Sequence, residues 1–115
     1  MKYLCLLFSE EAAWGRMSKA EQDAGVQQYA AYSADLKASG HYVTGQRLQP
    51  VSSATVVRMR DGKMSTTDGP YAETKEQLGG YYLIEAKDLN EALQVASRCP
   101  GAHHGSIEVR PLFEM

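Results

Sequence analysis

At 115 residues and 12.7 kDa the chain has room for one domain, since a single core commonly takes about 100–150 residues. Twelve Lys and Arg stand against fourteen Asp and Glu, a net charge of -2 that supplies no field toward phosphate backbones and excludes a general nucleic-acid binder. Hydrophobic residues make up 43% of the chain, an ordinary soluble composition, and no run approaches the ~18–20 apolar residues that span a bilayer.

Tyr3 to Phe8 is short, apolar and bounded by polar residues, which predicts a strand buried on both faces. The apolar opening stops at Ser9-Glu10-Glu11, without the length or cleavage site of a secretory leader. Glu10 to Met17 reads as a loop in which Trp14 packs over an edge. Ser18-Lys19-Ala20-Glu21 has the spacing of a capping box, in which Ser18 accepts from the third backbone amide and Glu21 reaches back to the cap amide. Val26, Tyr29, Ala30, Ser33 and Leu36 then share one helical face, and Ser39-Gly40 supplies the stop.

His41 to Leu48 reads as a second strand and Ala54 to Arg60 as a third. Asp61-Gly62 is a strong hairpin signal, returning through Lys63 to Thr66 and ending at Asp68-Gly69-Pro70. Gly79-Gly80 marks a bulge or a close backbone approach ahead of a strand over Tyr81 to Ala86, with Tyr81 and Tyr82 on opposite faces. Asp88 caps a second helix with Glu91 at its third position and Leu89, Ala92, Leu93 and Ala96 on one face. Cys99-Pro100-Gly101 stops it, and Ser106 to Leu112 is a last strand whose Pro111 keeps it at a sheet margin. Cys5 and Cys99 form no C-x-x-C pair or zinc spacing and are too few for a secreted disulfide scaffold. The expectation is therefore a cytoplasmic protein with no metal and no cofactor.

The order strand, helix, strand, hairpin, strand, helix, strand predicts a single α+β domain over residues 1–115. Its fold is a ferredoxin-like (split βαβ) arrangement with an inserted β-hairpin. Two helices cover only one face of such a sheet. Apolar alternation in Val56-Val57 and Tyr81 to Ile84 leaves the other face for a partner, which predicts a homodimer packed sheet to sheet.

The run Thr67-Asp68-Gly69-Pro70-Tyr71-Ala72-Glu73-Thr74-Lys75-Glu76-Gln77-Leu78-Gly79-Gly80-Tyr81-Tyr82-Leu83-Ile84-Glu85-Ala86 resembles the signature of the DGPF family of YCII-related domain proteins, with Tyr71 in the Phe place. The Met1-Lys2-Tyr3-Leu4 start, Gln46 to Pro50 and Ile107 to Leu112 are similar to the family pattern as well. The resemblance implies a ferredoxin-like domain of the dimeric α/β-barrel type, in a superfamily that includes small isomerases and cofactor-free oxygenases. It also implies a His–Asp active-site pair with the His on the first helix, where Ser18 to Gly40 contains none. Some relatives are associated with extracytoplasmic-function sigma factors, which implies a regulatory setting.

Several residues carry candidate chemistry, each beside a purely structural role. Asp68 is either part of a turn, with Gly69 bending left-handed and Pro70 fixing the next φ, or a general base at a loop mouth. Glu73 and Lys75 form either a solvated face or an acid/base and an anion-binding pair lining a cleft. Of His103-His104, neighbours that face opposite ways and make a poor metal site, His104 is the candidate acid or base, whereas His41 reads as structural. Arg47 and Arg110 either hold an acidic substrate or pair with Glu108, Glu85 or Asp68. Together these predict a cofactor-free acid/base enzyme acting on a small, anionic organic molecule in a cleft between sheet, hairpin and final-strand loop. The competing reading is a non-catalytic binding or regulatory module.

Overall fold

In chain order the elements are β1 (Lys2–Ser9), α1 (Glu11–Gly15), α2 (Lys19–Ala38), β2 (Tyr42–Arg47), β3 (Thr55–Arg60), β4 (Lys63–Asp68), β5 (Gln77–Glu85), α3 (Leu89–Ser97) and β6 (Ser106–Pro111). The structure is a computed structural model and describes residues 1–114. Four strands form an antiparallel sheet in the order β2-β5-β1-β6, while β3 and β4 pair only with each other. The result is a mixed α+β architecture with antiparallel sheets. No helix among the described residues is long and apolar enough to cross a membrane.

The period-2 alternation of β1 divides the sheet into an inner and an outer face. On the inner face Tyr3 and Cys5 lie opposite Ile84 and Tyr82 of β5, and all four are buried. Tyr32 and Leu36 of α2 and Ala92, Val95 and Ala96 of α3 close over them. On the outer face Leu4 pairs with Leu83 and Leu6 with Tyr81, and these four are only half-buried. The first strand is thus fully covered on one face and not on both, because both helices pack on the same side.

Local signals in the sequence are realised closely. Ser18 Oγ accepts from the Glu21 amide at 3.1 Å and Glu21 Oε1 accepts from the Ser18 amide at 3.0 Å, completing the capping box. Gly40, at φ +78°, follows the end of α2, and Asp61-Gly62, at φ +52° and +73°, forms the tight turn of the hairpin. Gly79 is the bulge, since Leu7 pairs with Gly80 and Phe8 with Leu78. Gly80 is the close approach: a β-carbon there would stand 3.0 Å from the Gln46 carbonyl.

Four expectations change. Residues 10–17 are not all loop, because Glu11–Gly15 winds into α1. The inward stripe of α2 is Tyr29, Tyr32, Ser33 and Leu36, while Val26 is 50% exposed and Ala30 faces solvent. Polar groups on this stripe enter the core because they are satisfied there: Tyr32 Oη donates to the Val95 carbonyl at 2.8 Å, and Ser33 Oγ lies 2.8 Å from Tyr82 Oη of β5. On α3 Val95 is buried between the small Ala92 and Ala96, which turns Leu89 and Leu93 outward. The hairpin, finally, stands apart from the main sheet, so Val56 and Val57 add nothing to that sheet's faces.

Candidate functional site

Chemically active side chains gather at one end of the main sheet, where β1 and β2 finish and β5 and β6 begin. Trp14 is carried there by α1. Its indole lies against Gly25 of α2, where a β-carbon would come within 3.1 Å of the ring. Arg47, the last residue of β2, sets its guanidinium 5.0 Å from the indole centroid. Glu11 clasps this corner, its Oε1 accepting from the Val51 amide at 3.0 Å and its own amide donating to Gln77 Oε1 at 3.0 Å. Among the described residues no carboxylate lies within ion-pair distance of Arg47. An exposed guanidinium set over an indole, with no ion-pair partner among the described residues, is a natural partner for a carboxylate or phenolate.

Asp68 ends β4 opposite Thr55 and is exposed. Its carboxylate makes no hydrogen bond or ion pair among the described residues. The turn that follows rests instead on Gly69, at φ +107°, whose amide donates to the Ala54 carbonyl at 2.8 Å. Glu73 and Lys75 are exposed on the irregular stretch leading back to the sheet. That stretch is anchored by Glu76, whose Oε1 accepts from Ser106 Oγ at 2.8 Å, and by Gln77, whose Nε2 donates to the Thr74 carbonyl at 2.6 Å. The lead-in to β5 and the start of β6 are thereby tied together.

His104 caps the 3-10 turn Pro100–His103 and is exposed, as is His103. Gly105 beside it permits a close approach of backbone: a β-carbon there would overlap the Phe8 carbonyl of β1. No hydrogen bond joins His104 to Asp68 among the described residues. Arg110 sits apart from Arg47, on the outer face opposite Leu4, and meets Glu108 at 3.8 Å in a largely exposed pair of small energetic weight.

Two groupings escaped the reading of the sequence. His41 bridges three elements, with Nδ1 at 2.7 Å from Ser39 Oγ and Nε2 at 3.2 Å from Glu91 Oε1. Glu91 is legible only as a helix-cap residue, and its distance of 50 positions from His41 hides the link. The second is the core itself, where two thiols lie among the phenols of Tyr3, Tyr29, Tyr32, Tyr42 and Tyr82. Burial pushes the Cys5 thiol up to about 11 and raises Cys99 as well. The Tyr29, Tyr32 and Tyr82 hydroxyls are also raised, mainly by burial. These groups hold their protons and serve packing.

The fold and this cluster define a small mixed α+β protein whose polar groups collect at one end of a sheet covered by helices on a single face. The chain belongs to the YCII-related domain family, whose model matches residues 1–115. An uncharacterised protein of Rhizobium meliloti (strain 1021) is 37% identical over 114 residues, covering 97% of this chain and 92% of that protein. Among solved structures, the 5-chloro-2-hydroxyhydroquinone dehydrochlorinase of Burkholderia phenoliruptrix AC1100, in complex with 2,5-dihydroxybenzoquinone, is similar with a TM-score of 0.59. That match covers 100% of this chain and 96% of the other at 14% identity, so the likeness is one of fold.

Proposed function

We propose that the chain is a homodimer of ferredoxin-like, dimeric α/β-barrel type that binds a small anionic organic molecule at this sheet end and moves a proton on it without a cofactor. The observation that carries the reading is Arg47, held over Trp14 with no carboxylate partner among the described residues. In this reading Arg47 holds the negative charge of a carboxylate or phenolate. Asp68, whose carboxylate is uncommitted, accepts the proton, and His104 returns it. Glu73 and Lys75 line the approach. Arg110, on the outer face, belongs with the dimer contact more than with the ligand. The similar fold of an enzyme named for a chlorinated hydroxyhydroquinone supports acidic phenols as the first compounds to try. The free hairpin, with apolar side chains in solvent, favours a second reading: a module whose role is contact with another protein.

A thermal-shift screen of carboxylates, lactones and phenols on the full chain tests the proposal. A ligand binding only the folded state at large excess stabilises it by about 2–4 kcal/mol. Arg47→Ala is expected to abolish that shift. Asp68→Asn is expected to keep the shift and the fold while slowing turnover about 100-fold or more. A flat screen, or a shift indifferent to Arg47→Ala, overturns the assignment.

A further inference from the structure

The hairpin formed by β3 and β4 is an arm. It pairs with no strand of the main sheet, and nearly every residue in it is exposed. The molecule measures 47 × 45 × 19 Å, a thin slab, and six residues of strand reach about 20 Å. The two faces of the arm differ in chemistry. Register places Val57 opposite Thr66 and Met59 opposite Met64, so one face carries Val57, Met59 and Met64, exposed by 60%, 58% and 69%, with Thr66 beside Val57 and with Thr55 and Asp68 at its root. The other carries Arg58, Arg60 and Lys63. A lone two-stranded hairpin is marginal in water, and three large apolar side chains on one side of it are an unmet driving force.

We propose that the Val57–Met59–Met64 face of the arm packs on a second copy of this chain, each protomer's arm clasping the other, with the basic face left in water. The inference rests on the sheet-to-sheet dimer proposed above and extends it. Area argues for this occupant. Four strands, about 19 Å wide and 20 Å long, present about 400 Å² per chain, so sheet contact alone covers about 800 Å² in total, the size of a packing contact. One arm face offers about 200 Å². Two arms, each covering an equal area of the partner, add about 800 Å² and bring the total to about 1,600 Å², the size of a stable interface. The apolar outer face of Leu4, Leu6, Tyr81 and Leu83 supplies the sheet contact, and each arm would cover partner surface beside it. A reciprocal clasp closes under two-fold symmetry and leaves no free apolar arm to propagate a filament. The cations on the remaining face guard the arm against pairing with stray strands.

Sedimentation over a concentration series tests the arm with the full chain. Met59→Asp with Met64→Asp is expected to weaken the dimer at least about 100-fold, because charge would enter an apolar contact. Far-UV circular dichroism should stay unchanged, since the arm lies outside the core. A photo-crosslinking residue in place of Val57, in an otherwise unaltered chain, is expected to yield covalent dimers. Leu6→Asp, on the outer sheet face, serves as the comparison. A dimer lost with Leu6→Asp but unmoved by the arm variant, or crosslinks confined to one chain, overturns the arm and keeps the sheet contact. A dimer lost with the arm variant but indifferent to Leu6→Asp keeps the arm and overturns the sheet contact. A chain monomeric at every concentration overturns both.

Discussion

Glycines show how single atoms shape this molecule. Gly105 has no room for a β-carbon, because the Phe8 carbonyl of β1 occupies that space, and the contact holds the turn after α3 against the sheet. Gly79, the bulge of β5, faces open space. Gly105→Ala is therefore expected to cost about 1–3 kcal/mol, as strain that forces backbone apart does, whereas Gly79→Ala should stay within about 0.5 kcal/mol. Urea unfolding of both variants checks this; equal effects would contradict the contact. At the same scale, the candidate acid and base were legible only as residue types. Asp68 and His104 were picked out by their neighbours in sequence, and the structure shows each exposed with no bond between them. Arg47 and Arg110 stood level in the sequence, and what separates them is the indole of Trp14, which lies 33 positions before Arg47 and arrives through α1.

Among the elements, α2 shows how far local chemistry reaches. Its start is set by a reciprocal pair of hydrogen bonds within four residues, and those bonds hold the Glu21 carboxyl below its ordinary value of 4.5. A carboxyl whose value is lowered on folding contributes stability that is present above the unfolded value and lost as pH falls through the folded one. Ser18→Ala is expected to cost about 1 kcal/mol near neutrality. The gap in melting temperature between this variant and the parent chain should hold steady above about pH 5 and narrow in more acid solution. A gap independent of pH would show that Glu21 takes no part in the cap. The inward face of the same helix was misread, because hydropathy favours Val26 over tyrosine. Burial went instead to Tyr32, whose hydroxyl finds the Val95 carbonyl, beside Ser33, whose hydroxyl meets Tyr82 of β5.

At the scale of the whole molecule, one core serves both helices and the inner sheet face, so Cys5 and Cys99 should open to solvent only when everything opens. Their burial and raised values keep both as neutral thiols at physiological pH. A thiol raised on folding contributes stability below the unfolded value of about 9, and that contribution fades as pH climbs toward the folded value of about 11 for Cys5. Alkylation by iodoacetamide at pH 8 is expected to be slow in the native chain, to reach both thiols together, and to follow global unfolding as denaturant is added. Rapid labelling of one cysteine alone would reveal a local opening through the α3 side of the core.

The sequence alone determined what depends on a few adjacent residues: the capping box, the Asp61-Gly62 turn, the bulge at Gly79, the strand alternation and the element order apart from α1. These rest on short-range hydrogen bonds and backbone sterics, which the neighbouring residues contain in full. The tertiary structure decided which stripe of each helix faces inward, that the hairpin stands free as an arm, and that Arg47 meets Trp14 while Arg110 lies on the opposite face. Burial and juxtaposition depend on surfaces brought together from distant parts of the chain, and no local pattern encodes which of several apolar stripes the sheet will meet.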